Sequence, residues 1–157
     1  MKIYDKKVIK LVIAIIIPLA VGGISALLTM NSMKEFEMLN QPPLSPPSIV
    51  FPIVWTILYI LMGIASYMIY KEHTDESEKL LILYGIQLVF NFLWSSIFFN
   101  FKAYWFAFFW LLIMCGIILV WIIKSEKVNK NIKWLLIPYL LWCLFALYLN
   151  LGVAILN

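Results

Sequence analysis

Gln87 and Asn91 stand four residues apart in a stretch, 80–101, that carries no charged side chain. On a helix this spacing puts both amides on one face, and Trp94, Ser95 and Phe98 continue it. Two other uncharged stretches carry comparable sets. Trp55, Tyr59 and Met62 follow an i, i+4, i+7 stripe, and Tyr139, Trp142, Ala146, Tyr148 and Asn150 lie along the last apolar run. Carboxamides donate and accept hydrogen bonds without changing charge, while indole and phenol rings present broad apolar faces. Together they suit a large, flat, apolar molecule held by stacking and a few hydrogen bonds.

The missing residue types narrow the chemistry further. No Asp, Glu, Lys, Arg or His falls inside the five uncharged stretches, so no proton relay or ion-coupled path is visible at depth. The sole histidine, His73, sits in a charged loop, which excludes an axial haem ligand within the apolar runs. Cys115 and Cys143 have no partner at metal-ligand spacing and read as small buried hydrophobes. No serine–histidine–aspartate, cysteine–histidine or paired-carboxylate arrangement can be assembled there. No metal site is expected, and no cofactor is required.

The elements that must position these groups are membrane helices. The 157 residues are 64% hydrophobic and 13% charged, with a mean hydropathy of +0.97. A soluble domain carries about 25% charged residues, so a water-facing surface could not be covered. The uncharged stretches are 11–30, 49–70, 80–101, 103–123 and 134–157, each about the 20 residues needed to cross a bilayer. They are apolar on every face rather than alternating, and backbone groups in lipid must pair internally, so each is a helix. The first is too long in its apolar core for a signal peptide and lacks a cleavage site at Pro18 or Gly22-Gly23. The expectation is an all-α membrane protein, a five-transmembrane-helix bundle in one domain over 1–157. Its helices span about 8–30, 49–70, 80–101, 103–123 and 134–156, with a long loop at 31–48.

All twelve basic residues are lysines, and they flank the spans. Nucleic-acid binding, which wants a folded basic face with arginine forks, is not expected. Ten of the lysines share one side: Lys2, Lys6, Lys7 and Lys10, then Lys71 and Lys79, then Lys124, Lys127, Lys130 and Lys133. Only Lys34 and Lys102 fall on the other. The positive-inside rule makes the N-terminus cytoplasmic and the C-terminus external in a multi-pass protein of a bacterial cell membrane.

The long loop reads Gln41-Pro42-Pro43-Leu44-Ser45-Pro46-Pro47. Its prolines fix φ and remove donors, so it is stiff, either as a lid over the outer face or as a plain spacer. Pro18 and Pro138 fall within helices, where they free carbonyls; a kink at Pro138 would widen the space beside Tyr139 and Trp142. Gly22 and Ala26 form a small-xxx-small step. Two readings of the buried polar groups stay open. They clamp helices, at roughly 0.6 kcal/mol per interhelical bond, or Gln87, Asn91, Trp55 and Trp142 converge on a pocket beneath the loop. Trp105, Trp110, Trp121 and Trp134 read as interfacial belts or packing residues.

Three stretches, in this order and spacing, resemble the TspO/MBR family of translocator proteins and bacterial tryptophan-rich sensory proteins. They are Pro42-Pro43-Leu44-Ser45-Pro46-Pro47 running into Phe51-Pro52-Ile53-Val54-Trp55-Thr56-Ile57-Leu58-Tyr59, with Gly63 beyond; Gln87-Leu88-Val89-Phe90-Asn91-Phe92-Leu93-Trp94-Ser95; and Pro138-Tyr139-Leu140-Leu141-Trp142, then Phe145-Ala146 and Leu149-Asn150. The resemblance implies a pocket opening toward the long loop that binds porphyrins and benzodiazepine-type ligands, in a membrane receptor that forms a homodimer in contact with lipid. It also implies a rival reading, light-dependent porphyrin degradation with Trp55 and Trp142 as catalytic indoles, and a third, transport of tetrapyrrole or lipid. Joined to the residue reading, the candidate ligand site is Trp55, Tyr59, Gln87, Asn91, Trp94, Tyr139, Trp142, Ala146 and Asn150. The lid residues are Phe36, Pro42, Leu44, Pro46 and Pro47. The chain departs from the family pattern at Glu35 and Phe36, where Trp-Tyr is usual, at Gln41, at Leu44 and at Ala154. No basic residue follows Tyr148, so the family's cholesterol motif is incomplete.

Overall fold

The computed structural model describes residues 3–157; Lys2, one of the flanking lysines, lies outside them. Five helices form: α1 (Ile3–Phe36), α2 (Val50–Tyr70), α3 (Asp75–Ser95), α4 (Tyr104–Ser125) and α5 (Ile132–Leu156). All five are long and apolar enough to cross a membrane. Large apolar side chains such as Ile16, Leu27, Ile57, Ile113 and Ile155 stand exposed around the bundle. Exposure on this scale belongs to a lipid-facing surface.

The boundaries differ most from expectation at three ends, and α1 is already helical at Ile3 rather than from about residue 8. α1 runs to Phe36 rather than stopping near residue 30, because Asn31-Ser32-Met33-Lys34-Glu35 contains no helix breaker. Phe36 therefore closes a helix and is not part of the loop, which spans 37–49. α3 starts at Asp75 rather than 80. Thr74 caps it, accepting from the Ser77 backbone at 3.1 Å while Ser77 Oγ accepts from the Thr74 backbone at 2.9 Å. Asp75, Glu76 and Glu78 then occupy the first turn, where the helix dipole favours acids. Helices α1 and α5 continue through Pro18 and Pro138.

Beyond Ser95, α3 widens into a single π-helical turn, Ser96–Asn100. The Phe101 amide donates to the Ser96 carbonyl five residues back, at 3.0 Å. Such turns are uncommon and cluster at functional sites.

In cross-section the principal neighbours run α1–α2–α5–α4–α3 and back to α1, with α2 also touching α3. Two backbones come close at Gly63 of α2, where an added Cβ would lie 2.6 Å from the Ile15 Cα and 2.7 Å from the Ala14 carbonyl oxygen. A small residue is what lets two backbones meet in lipid. Near the lysine-rich face the bundle is solid: Ile69, Leu80, Ile118, Trp121, Ile132 and Leu136 are buried. Trp121 stacks on Tyr84 at 5.2 Å. It is thus a core residue and not part of an interfacial belt, whereas Trp105 and Trp134 are more than half exposed. Trp110 stacks on Phe90 at 4.3 Å and donates to its carbonyl.

The 37–49 loop is fastened to α5. Tyr148 Oη donates to the Pro43 carbonyl at 2.6 Å, and the Asn157 carboxamide bonds both the amide and the carbonyl of Asn40, at 3.1 and 2.8 Å. Pro42 fills the notch at Gly152, where any Cβ would overlap its ring. Leu44 turns the chain with a left-handed backbone, φ 68°, and stands exposed.

Candidate functional site

In the half of the bundle near this loop the core opens into a cavity of about 280 Å³ between α1, α2, α3 and α5. Helix α1 provides one wall through Gly22, Gly23, Ser25, Ala26, Thr29 and Met33. Apart from Met33 these side chains are small, and a Cβ at Gly22 would collide with the Tyr59 ring. Opposite stand Phe51, Trp55 and Tyr59 of α2, Trp94 of α3 and Phe98 of the π-turn, with Ala146 and Asn150 of α5. Trp55 lies on Tyr59 at 5.5 Å, and Trp94 lies on Phe98 at 5.3 Å. The π-turn brings the consecutive Phe98 and Phe99 both to the cavity.

Several polar groups on this wall are already engaged. Thr29 and Thr56 hydroxyls donate to carbonyls of their own helices at 2.9 and 2.7 Å. Asn150 accepts from the Trp94 indole at 3.1 Å and donates to the Tyr104 carbonyl at 2.8 Å, joining α3, α5 and α4. The remaining face is aromatic and aliphatic, with Glu37 and Ser48 at its rim. Such a surface attracts a molecule through its apolar area and through ring stacking.

Of the residues singled out from sequence, the structure brings Trp55, Tyr59, Trp94, Ala146 and Asn150 together around this cavity. Gln87, Asn91 and Tyr139 form a directed chain in the solid core behind it. The Tyr59 hydroxyl donates to Asn91 Oδ1 at 2.7 Å, Asn91 Nδ2 donates to Tyr139 Oη at 3.0 Å, and Tyr139 donates to Gln87 Oε1 at 2.5 Å. Gln87 Nε2 ends on the Met62 sulfur at 3.7 Å. The amides are clamps between α2, α3 and α5. Tyr59 alone belongs to both the chain and the cavity.

Trp142 stands outside the lining. Its ring meets Phe51 edge-on at 5.9 Å, and its indole nitrogen is buried without a partner. The loop residues Pro42, Leu44, Pro46 and Pro47 also lie outside the lining, whereas Phe36 is within it. The candidate site drawn from sequence left out Ser25, Thr29, Phe51 and Leu149, which line the cavity. The signal for the α1 wall was present as Gly22, Ala26, Thr29, Met33 and Phe36, a stripe at i, i+4, i+7, i+11 and i+14. Among the described residues no cluster of histidine, cysteine or carboxylates is placed to hold a metal.

The chain is thus a five-helix membrane bundle with an aromatic-lined cavity at one end. The TspO/MBR family profile matches residues 14–156, and the chain belongs to that family. It is 33% identical over 162 residues to the tryptophan-rich protein TspO of Chlorobaculum tepidum, covering 98% of this chain and 99% of that protein. It is 38% identical over 130 residues to a translocator protein homolog of Schizosaccharomyces pombe, covering 79% and 78%. The human translocator protein is 35% identical over 123 residues, covering 76% and 73%.

Proposed function

We propose that the protein is a membrane receptor for flat, apolar ligands of the tetrapyrrole class, with benzodiazepine-type molecules able to use the same cavity. The observation that carries this is the wall itself: Trp55 on Tyr59 and Trp94 on Phe98 face the small-residue surface of α1 across one hollow. A flat ring slides between such surfaces with little loss of contact. At about 280 Å³ the cavity falls just short of the usual range for ligand pockets, about 300–1,000 Å³, so a full tetrapyrrole must displace a side chain at the rim. Lysine placement supports an orientation in a bacterial cell membrane with this cavity toward the external face.

Binding is favoured over photochemical degradation because Trp142, one of the two indoles assigned to that chemistry, sits behind Phe51. The test is tryptophan-fluorescence quenching by a porphyrin in nanodiscs. Trp55→Ala is expected to weaken binding about tenfold or more, the effect of removing a stacked indole of about 1.5 kcal/mol or above. Trp142→Phe should bind as the wild type does. Unchanged affinity in Trp55→Ala and in Trp94→Ala would reject the site.

A further inference from the structure

Beside the main cavity lies a second hollow of about 280 Å³, bordered by Glu35, Phe36, Phe98, Phe99, Lys102 and Tyr104. Phe36, Phe98 and Phe99 border both spaces, so these rings are a common wall. Phe36 meets Phe98 at 5.6 Å and Phe99 at 5.4 Å, edge-on in each case. It is the last residue of α1, where a helix end frays most readily. A rotation of this ring would open part of the wall between the two volumes and add room for a large ring system.

The far hollow differs from the first in carrying a cation. Lys102 has a left-handed backbone, φ 52°, which a lysine adopts at a cost and keeps only where its surroundings impose it. The turn does impose it: the Phe101 amide bonds Ser96 at 3.0 Å, and the Ala103 amide bonds Ile97 at 3.2 Å. The ammonium pairs with Glu35, leaving two of its three donors for another acceptor. The partner side chains are 52% and 61% exposed, and an exposed ion pair of this kind holds weakly. Glu35 can therefore give way while the lysine turn stays. The remaining carboxylate of the region, Glu37, borders the main cavity and not this one. Glu35 borders the same hollow as Lys102, so an acidic group is received there only as Glu35 swings aside, whereas the lining of the main cavity has Glu37 and no lysine.

We infer that the second hollow is a subsite for the acidic group of an amphiphile whose apolar body occupies the main cavity, with Lys102 as the receiving cation. This rests on the receptor reading above and adds an acidic substituent to the ligand class. The experiment compares a tetrapyrrole dicarboxylic acid with its dimethyl ester, in phosphatidylcholine nanodiscs, on the wild type, Lys102→Gln and Glu35→Gln. The wild type should prefer the acid by about twofold, less than a full exposed charge pair because Glu35 competes for the lysine, and the preference should shrink in high salt. Lys102→Gln should erase the preference with ester affinity unchanged, and Glu35→Gln should enlarge it. Phosphatidic acid that displaces the acid form from the wild type but not from Lys102→Gln would support the subsite and make a lipid the source of the acid. Equal binding of acid and ester to the wild type, or parallel weakening of both in Lys102→Gln, would overturn the inference and leave the receptor reading intact. Failure of the ester itself to bind would overturn both.

Discussion

Asn91→Leu removes the middle of the chain from Tyr59 to Gln87 while keeping nearly the same volume. Two interhelical bonds disappear, Tyr59 Oη to Asn91 at 2.7 Å and Asn91 to Tyr139 Oη at 3.0 Å. At about 0.6 kcal/mol each these account for about 1.2 kcal/mol. Tyr139 keeps its bond to Gln87, so its donor stays satisfied. Tyr59 does not, and an orphaned buried hydroxyl costs about 1–3 kcal/mol. Its ring lines the cavity, so the side chain has room to shift toward another partner, which pulls that figure to the low end. The expected loss is about 2 kcal/mol, measured by denaturant or thermal unfolding in detergent with circular dichroism. Tyr59→Phe alone should cost about 1 kcal/mol, and the double variant should cost less than the sum by about 1 kcal/mol, because neither partner is then left unpaired. Strict additivity, or an Asn91→Leu protein within about 0.5 kcal/mol of wild type, would refute the claim that these amides clamp the bundle.

Three further outcomes follow from the packing. Gly63→Ala should destabilise the protein by about 1–3 kcal/mol, since its Cβ meets backbone atoms of Ala14 and Ile15 that cannot turn aside. Gly85→Ala and Gly116→Ala, with nothing within 4 Å of the added methyl, should instead gain about 0.5–1 kcal/mol from helix propensity; thermal unfolding of the three variants checks the contrast. Trp142→Phe should leave stability nearly unchanged on the hydrogen-bond side, because its indole nitrogen has no partner to lose, and the same unfolding assay reads it. Asn157→Ala combined with Tyr148→Phe should release the 37–49 loop from α5 and raise amide exchange across residues 38–48, with hydrogen-exchange mass spectrometry as the measurement; unaltered protection there would count against the fastening.

The five spans were legible because lipid tolerates no charge along a helix, so the lysines and acids mark nearly every boundary. The end of α1 was not, since Lys34 and Glu35 signal the membrane surface without stopping a helix that projects beyond it. The i, i+4 amides of α3 were legible as one face, but a single helix does not say whether its face meets a hollow or two tyrosines. Here Tyr59 and Tyr139 consumed the amides. On α5 the buried stripe runs Tyr139, Cys143, Ala146, Asn150 and Val153. Trp142 is one residue, about 100° of helix rotation, away from its centre. That offset decides which aromatic reaches the cavity. It depends on how α5 is rotated against α2, which no spacing within α5 encodes.

The π-turn at Ser96–Asn100 has a meaning for how such a wall evolves. A turn closed five residues back holds one residue more than an α-turn closed four back. Deleting a single codon there would restore regular geometry and swing one phenylalanine of the Phe98-Phe99 pair out toward the lipid. Insertion and deletion, more than substitution, are then the mutations by which a lineage would gain or lose this part of its ligand surface, and sequences one residue shorter across this turn are where the loss should be sought.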